Sequence, residues 1–499
     1  MKLEEDLTEL GNAKLFCKIA EGNYKWLYEA KNWIVWEDNK WKNDNTGKIN
    51  RWYEIILEYF SAKLTESNNE MQVLASDPDF EVAGSAVNVK GKQLKKEIAE
   101  LYKWYLNSQS KRNITGSLEL SRTQKDMTVT MAAVDNHSKM FGVKNGVVNI
   151  TTGDLLTGDD AKGLYVMQAA DVEYDEFATC DEWQDMVLKL MMGDKDVAKF
   201  LQTLLGSALV GHNSKYFTFF YGSGSNGKTT ILEIVDRILG EYAITGDPDL
   251  FAKGTKKNKE YYFAMYHGKR LIVFNEIDKE MVNLSEDLIK QTTDSGQITA
   301  RHPNGRPFDY SPQFTPIFSV NHLPNVSNDS AVWRRVVIVP FDYVVPDSEK
   351  EDDYIGRMVR DHSAGIFNWL LEGAREYLEN GLTIPEKLKQ FTNILKKETD
   401  VLHTFLLEYI GDDVAPEKVL AGHLRNKYVE WLSENGYKRA PTIRNFCTDL
   451  RAAGFEVRKS TGNQTYVFNL WMLEDGVNTK KIEKVTKDGV TDLTQLLNI

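Results

Sequence analysis

Apolar residues along this chain change period several times, and each change predicts an element. Tyr216-Phe217-Thr218-Phe219-Phe220 is a short aromatic run of the kind that forms a buried strand, whereas Ile231-Leu232-Glu233-Ile234-Val235-Asp236-Arg237-Ile238-Leu239 repeats apolar positions at helical spacing. Further buried strands are predicted from Leu271-Ile272-Val273-Phe274, Ile317-Phe318-Ser319-Val320 and Val336-Val337-Ile338-Val339, so residues 213–345 read as a parallel-sheet core. Within it, Gln297–His302 and Phe308–Phe314 predict two short strands. Between them, Pro303-Asn304-Gly305-Arg306 carries the Asn-Gly pair that favours a tight hairpin turn.

The flanking regions follow other patterns. Residues 1–175 combine Trp33-Ile34-Val35-Trp36 and Trp41 with an amphipathic helix over Gln93–Leu106 and hairpin turns at Asn145-Gly146 and Thr152-Gly153, which predicts an α/β amino-terminal domain. The alternation of the tryptophans favours core packing over base stacking. Residues 176–212 are largely helical, with Trp183, Met186, Val187 and Leu190 on one stripe, and read as a collar before the core; 346–400 read as a helical extension. From 401 to 499, helices over Leu402–Tyr409, Glu417–Asn435 and Thr442–Ala453 precede strands at 455–459 and 465–468, a winged-helix-like order.

Composition narrows the class. A chain of 499 residues exceeds what one core usually supports, and 42% hydrophobic with 27% charged residues is ordinary for a globular protein. No run reaches the roughly 20 apolar residues that span a bilayer. The amino terminus, Met1-Lys2-Leu3-Glu4-Glu5-Asp6, lacks the apolar centre of a signal peptide, so a cytoplasmic protein without a membrane partner is expected. Cys17, Cys180 and Cys447 lie far apart and read as reduced thiols. The net charge of −12 excludes a protein coated in nucleic acid but leaves room for a local basic channel or patch.

The sharpest chemical signal is Gly222-Ser223-Gly224-Ser225-Asn226-Gly227-Lys228-Thr229, followed by Thr230, between the aromatic strand and the amphipathic helix. This is G-x-x-x-x-G-K-[ST] in strand-to-helix context: glycines turn backbone N–H groups inward, Lys228 can reach the β/γ-phosphates of ATP, and the Thr229 hydroxyl can ligate Mg2+. About fifty residues on, the strand ending in Asn275-Glu276-Ile277-Asp278 delivers carboxylates suited to hold the metal or orient water, with Glu276 favoured for catalysis and Asp278 as metal support. Arg301, His302 and Arg306 on the hairpin, with Lys290 on the preceding helix, suit a phosphate backbone; an ordinary solvated turn is the competing account. Asn321 ends the next strand, where an amide can sense a γ-phosphate, and Arg334 or Arg335 can serve a neighbouring subunit as an arginine finger. In the carboxy-terminal region Arg439, Arg444, Arg451, Arg458 and Lys459 offer a duplex-DNA surface or, equally, a solvated face.

This order of motifs resembles the superfamily 3 helicases, and more narrowly the helicase part of the phage, plasmid and poxvirus-type primase-helicases. The likeness rests on Gly222 to Thr229 as Walker A, Asn275-Glu276 as Walker B, Lys290 to Asp294 with Ala300-Arg301 as the B′ region, Asn321 as sensor and Trp333-Arg334-Arg335 as the finger segment. Phe141 to Leu155, Glu182-Trp183 and Phe200 to Gly206 are similar to the domain that precedes the helicase core in that family. The resemblance implies an AAA+-like ATPase core in a ring, a hexamer in the family, that hydrolyses ATP with Mg2+ at subunit interfaces and moves 3′→5′ along single-stranded or forked DNA. A separate primase is an implied partner. Relatives often carry a primase domain upstream. Here Asp77-Pro78-Asp79 alone mimics paired metal carboxylates, a turn is the better reading, and no primer synthesis is expected. The departure at Walker B is Ile277, which separates two carboxylates that the family often places side by side. A replication initiator or loader without processive unwinding, and a small-molecule kinase sharing only the P-loop, are the other readings; strand displacement on a fork and DNA-independent turnover by a monomer distinguish them.

Overall fold

The computed structural model describes residues 6–472 except 21, 213, 276–283, 295, 304, 323–329, 399–400, 412–417, 436–439, 454 and 469–470. The chain forms two compact units: Met1–Glu176 with Leu239–Tyr242, and Phe177–Ile238 with Ala243–Ile499.

The first unit opens with α1 (Glu9–Ile19), then β1 (Tyr24–Leu27), β2 (Asn32–Glu37) and β3 (Lys40–Asn43), followed by α2 (Lys48–Trp52), α3 (Glu54–Ala75), α4 (Ala86–Ser108), α5 (Lys111–Ser121) and β4 (Thr128–Val129). The sheet runs β3-β2-β1-β4, antiparallel except that β4 lies parallel to β1. The unbroken apolar run in β2 has a simple cause, because this sheet is buried on both faces. Trp33 and Val35 join Phe16, Tyr24 and Ile56 in one cluster, while Ile34 joins Leu27 and Trp41 in another. Trp41 spends its Nε1–H on the Lys162 carbonyl at 2.9 Å. Asn12, fully buried, donates to Tyr53 Oη at 2.6 Å and Ser108 Oγ at 3.0 Å and accepts from Trp104 Nε1 at 3.0 Å, so one amide ties α1 to the helices beside it.

Between α3 and α4, Asp77 accepts from the Asp79 N–H at 2.9 Å and caps a single 3₁₀ turn, Pro78–Phe80; these carboxylates serve a turn. Downstream, β5 (Met140–Val143), β6 (Gly146–Asn149) and β7 (Leu155–Leu156) form an antiparallel sheet, followed by α6 (Gly158–Lys162). The first turn lies one residue earlier than expected, because Val143 pairs with Gly146. Asn145 instead uses both ends of its amide on the Tyr174 backbone, at 2.9 Å each.

The second unit begins with α7 (Asp181–Leu190) and α8 (Lys195–Ser207). Its centre is a five-stranded, wholly parallel sheet of β8 (Phe217–Tyr221), β9 (Ala243–Gly246), β10 (Leu271–Asn275), β13 (Thr315–Val320) and β14 (Val336–Pro340), in the order β14-β8-β13-β10-β9. Strands covered on both faces read as continuous apolar runs, which is why this core was legible. Helix α9 (Lys228–Leu239) leaves β8, and α10 (Lys259–Tyr266) and α11 (Glu286–Thr293) precede the short hairpin of β11 (Ile298–Ala300) and β12 (Phe308–Tyr310). The hairpin is shorter than predicted, with three residues paired on each side and 301–303 and 305–307 outside the ladder. Pro307 has no N–H to give the ladder, so pairing ends at Ala300 opposite Phe308. Asn304 itself lies outside the described residues.

Helix α12 (Ser330–Trp333) precedes β14, and α13 (Tyr354–Asn380) and α14 (Glu386–Glu398) follow it. Last come α15 (Val401–Tyr409), β15 (Ile410–Gly411), β16 (Val419–Leu420), α16 (Ala421–Glu434), α17 (Ile443–Ala452), β17 (Glu456–Lys459), β18 (Thr465–Phe468) and β19 (Trp471–Met472). The helix expected from Glu417 starts only at Ala421, because Val419 and Leu420 pair with β18 and make the predicted hairpin a three-stranded sheet. Leu424, Phe446, Leu450 and Val467 fill its core. No helix among the described residues is long and apolar enough to cross a membrane.

Helices α8 and α13 approach at Gly206 and Gly373: a Cβ on Gly206 would meet the Ala374 nitrogen at 2.4 Å, and one on Gly373 the Gln202 carbonyl at 2.1 Å. Gly206→Ala should therefore destabilise the protein by about 1–3 kcal/mol, the usual cost of overpacking. Gly422→Ala, which meets nothing within 4 Å, should not. Thermal melts of the two variants make the comparison.

Candidate functional site

The parallel sheet delivers three strand ends to one edge. Tyr221 pairs with Val320, and Asn275 with Ser319, so the carboxyl ends of β8, β13 and β10 lie side by side. Such an edge, where the strands' carboxyl ends meet helix N-termini, is where open α/β sheets bind ligands. Loop 222–227 turns there through left-handed residues: φ is +102° at Gly224, +52° at Ser225 and +79° at Gly227. Those angles let successive N–H groups converge on one anion. The Ser225 carbonyl is held by the Val345 N–H at 3.0 Å.

Lys228 opens α9 and is only 4% exposed. Its ammonium has three hydrogens and three acceptors: the Gly222 carbonyl at 2.7 Å, Asn226 Oδ1 at 2.9 Å and Asn321 Oδ1 at 3.2 Å. Burial pulls its pKa below the usual lysine value. Asn321 stands one residue past β13, exposed like its neighbour His322. The structure thus joins Gly222, Asn226, Lys228 and Asn321, residues drawn from two different strand ends. Ser223 and Thr229 are exposed and Thr230 half-buried, which leaves the Thr229 hydroxyl at the surface beside the buried ammonium. Glu276 and Asp278 lie outside the described residues.

The hairpin is seated on α10. The Arg301 N–H donates to the Glu260 carbonyl at 3.0 Å, Tyr310 Oη donates to the Phe263 carbonyl at 2.7 Å, and Thr299 Oγ1 meets Asp309 Oδ1 across the ladder at 2.7 Å. Burial, then the nearby His302, lowers the pKa of His267, which packs edge-on to Tyr310 and Phe308. Of the expected cations, Arg301 is paired with Glu260 at 3.0 Å, His302 stacks on Phe308, Arg306 is exposed and Lys290 is half-buried on α11.

Sequence reasoning missed a second basic segment, Lys253, Lys256, Lys257 and Lys259, which leads into α10. Lys257 is consumed by Asp247 at 2.7 Å and Asp249 at 3.7 Å. Lys253, Lys256 and Lys259 are exposed and, among the described residues, make no ion pair; Tyr261 beside them is 40% exposed. Four lysines within seven residues of a chain of net charge −12 was the available signal.

The two arginines of the finger segment part company. Arg335 is tied within its own chain, through Nη2 to Asp294 and through Nη1 to the Ala331 carbonyl at 2.7 Å. Arg334 is exposed and, among the described residues, has no side-chain partner. A similar correction applies near the carboxy terminus. Arg451 donates from Nε and Nη2 to the Val457 carbonyl at 3.2 and 3.1 Å, and Arg458 pairs with Glu456 and lies 4.3 Å over Phe468, so both hold the local fold. Arg444 and Lys459 remain exposed, and Arg439 lies outside the described residues.

Residues 13–191 match the family described as D5 N terminal like, and residues 220–335 a family of unknown function (DUF5906). A protein named "Putative helicase" from Acanthamoeba polyphaga mimivirus is 27% identical over 62% of this chain and 35% of its own length. A "Putative primase" of African swine fever virus is 23% identical over 66% of this chain and 36% of its own length. "Uncoating factor OPG117" of vaccinia virus is 23% identical over 44% of this chain and 29% of its own length. The chain therefore spans about a third of the length of these relatives. The solved C-terminal region of NrS-1 in its A form is similar at a TM-score of 0.46 and 12% identity, covering 93% of this chain and all of that one.

The contrast between the two arginines is testable without a ligand. Arg335→Ala should lower unfolding stability by about 1 kcal/mol, the scale of a half-exposed pair plus one hydrogen bond, while Arg334→Ala should stay within about 0.5 kcal/mol of wild type in a urea titration.

Proposed function

We propose that this chain, similar over residues 13–191 to the D5 N terminal like family and over about two thirds of its length to viral proteins named putative helicase and putative primase, is an ATP-dependent replicative DNA helicase whose subunits form a ring, a hexamer by analogy. The observation that carries this reading is the convergence of Gly222, Asn226 and Asn321 on the Lys228 ammonium. A lysine held by both the glycine loop and the neighbouring strand's terminal amide is poised to exchange those acceptors for phosphate oxygens, and Asn321, released from Lys228, is then free to report the γ-phosphate. The exposed Thr229 hydroxyl suits a divalent ion such as Mg2+, which supplies charge neutralisation between phosphate oxygens. Glu276 would orient the attacking water with Asp278 in support.

Arg334 is the finger in this reading, since it is the exposed member of the pair and a finger must reach a neighbouring copy. Arg301, Arg306 and His302, together with Lys253, Lys256 and Lys259, would grip the backbone of single-stranded DNA, and Tyr261 would offer a stacking face. Arg301 would exchange Glu260 for phosphate as DNA enters. The carboxy-terminal helices and three-stranded sheet serve as a winged-helix-like module that meets duplex or forked DNA through Arg444 and Lys459. Translocation 3′→5′ and cooperation with a separate primase belong to the same proposal.

ATP hydrolysis with and without single-stranded DNA is the first test. Lys228→Ala should cut turnover to a small residual rate, and Arg301→Ala/Arg306→Ala should keep basal turnover and lose DNA stimulation; normal stimulation would remove the hairpin from the proposal. Arg334→Ala should cut kcat by about 10³-fold or more, as loss of an arginine finger does elsewhere. For the lysine segment, the triple variant Lys253→Ala/Lys256→Ala/Lys259→Ala should flatten the salt dependence of single-strand binding by about two in log–log slope, given about 0.7 per phosphate contact.

A further inference from the structure

We infer that Asn226 is a positioning residue whose side-chain amide fixes the Lys228 ammonium and fastens the glycine loop to the chain leaving β14. This rests on the ATP site proposed above and deepens it.

Asn226 is 3% exposed, and both ends of its amide are used: Nδ2 donates to the Phe341 carbonyl at 2.7 Å and Oδ1 accepts from Lys228 Nζ at 2.9 Å. The orientation follows from the partners. An ammonium offers only hydrogens and a carbonyl only lone pairs, so the reversed amide would face donor with donor and acceptor with acceptor. The surrounding loop is shaped to admit this bridge. A Cβ on Gly222 would lie 2.1 Å from Asn226 Nδ2 and 2.4 Å from the Phe341 carbonyl, and Gly222 is not among the left-handed residues. The first glycine is therefore required for the space that the amide occupies, whereas Gly224 and Gly227 serve backbone conformation.

Phe341 directly follows β14, and β14 begins directly after Arg335. Asn226 thus connects the phosphate-facing lysine to the strand whose opposite end carries the finger segment. Alanine at 226 would strand one ammonium hydrogen and a carbonyl, each in a buried setting. Aspartate would keep the acceptor for Lys228 but set an oxygen against the Phe341 carbonyl.

The test uses the full chain as wild type, Asn226→Ala, Asn226→Asp, Lys228→Ala and Asn226→Ala/Lys228→Ala, with phosphate release at saturating ATP and binding of a fluorescent ATP analogue. Asn226→Ala should lower kcat by about 10- to 100-fold while analogue affinity falls by less than about 5-fold, because backbone contacts still hold the nucleotide while the ammonium is misplaced. The double variant should be no slower than Lys228→Ala, since residues that act through one group do not add. An unchanged kcat in Asn226→Ala, or losses that multiply in the double variant, would overturn the inference and leave Asn226 a merely structural residue. If Asn226→Ala does not fold by circular dichroism, Asn226→Asp is scored for kcat against affinity under the same criteria. A wild type that neither binds the analogue nor releases phosphate overturns the nucleotide site and this inference with it, an outcome distinct from an active wild type with an indifferent Asn226.

Discussion

One buried ammonium organises the edge of the second unit's parallel sheet. Lys228 is desolvated at the start of a helix, where the helix dipole already disfavours a cation, and it stays there only because three oxygens surround it. Two of those oxygens come from its own loop and one from Asn321, which can reach it only if β13 lies directly beside β8 and in register. The parallel pairing of Val320 with Tyr221 meets that condition. Strand order, loop conformation and the amide at 321 are thus constraints on a single charge, and altering any one leaves the other groups without their partner.

Charge elsewhere is arranged on the same principle of local satisfaction. An acidic chain keeps cations exposed by spending others on structure: Lys257 holds its loop to Asp247, Arg335 holds α12 to Asp294, and Arg451 holds α17 to β17. Lys253, Lys256, Lys259, Arg306 and Arg334 are among the cations left exposed, and none makes an ion pair among the described residues. Net charge says little about such a protein, because the relevant quantity is which cations lack a carboxylate or carbonyl nearby.

The distinction between spent and exposed cations is also where sequence reading ran out. The glycine loop, the strand ending at Asn321 and the apolar strands were legible because each depends on neighbours within a few positions: glycines tolerate positive φ, and a doubly covered strand needs a continuous apolar run. The partners of Arg335 and Arg301 are 41 residues away at Asp294 and at Glu260 on another helix, and no local pattern announces such pairs. Small errors in turns had the same origin. Asn145 is a turn residue as its composition suggests, but the reversal sits on Lys144-Asn145 and not on Asn145-Gly146, and the Asn145 amide bonds a distant partner, the Tyr174 backbone. Likewise Val419 and Leu420 carry helix-compatible side chains, yet pairing with Tyr466 and Val467 draws them into a sheet.

The short segment Leu239–Tyr242 has a further bearing on how this chain can be dissected. It belongs to the first unit although it begins with the last residue of α9, and its anchor is Tyr242, whose ring stacks on Phe141 at 4.1 Å while its hydroxyl accepts from the Gly142 N–H and donates to the Gln168 carbonyl. The polypeptide therefore crosses between units three times, at 176, 238 and 242. No single scission yields two intact halves: a fragment starting at 177 carries a tyrosine with its socket missing, and a fragment ending at 176 has that socket empty.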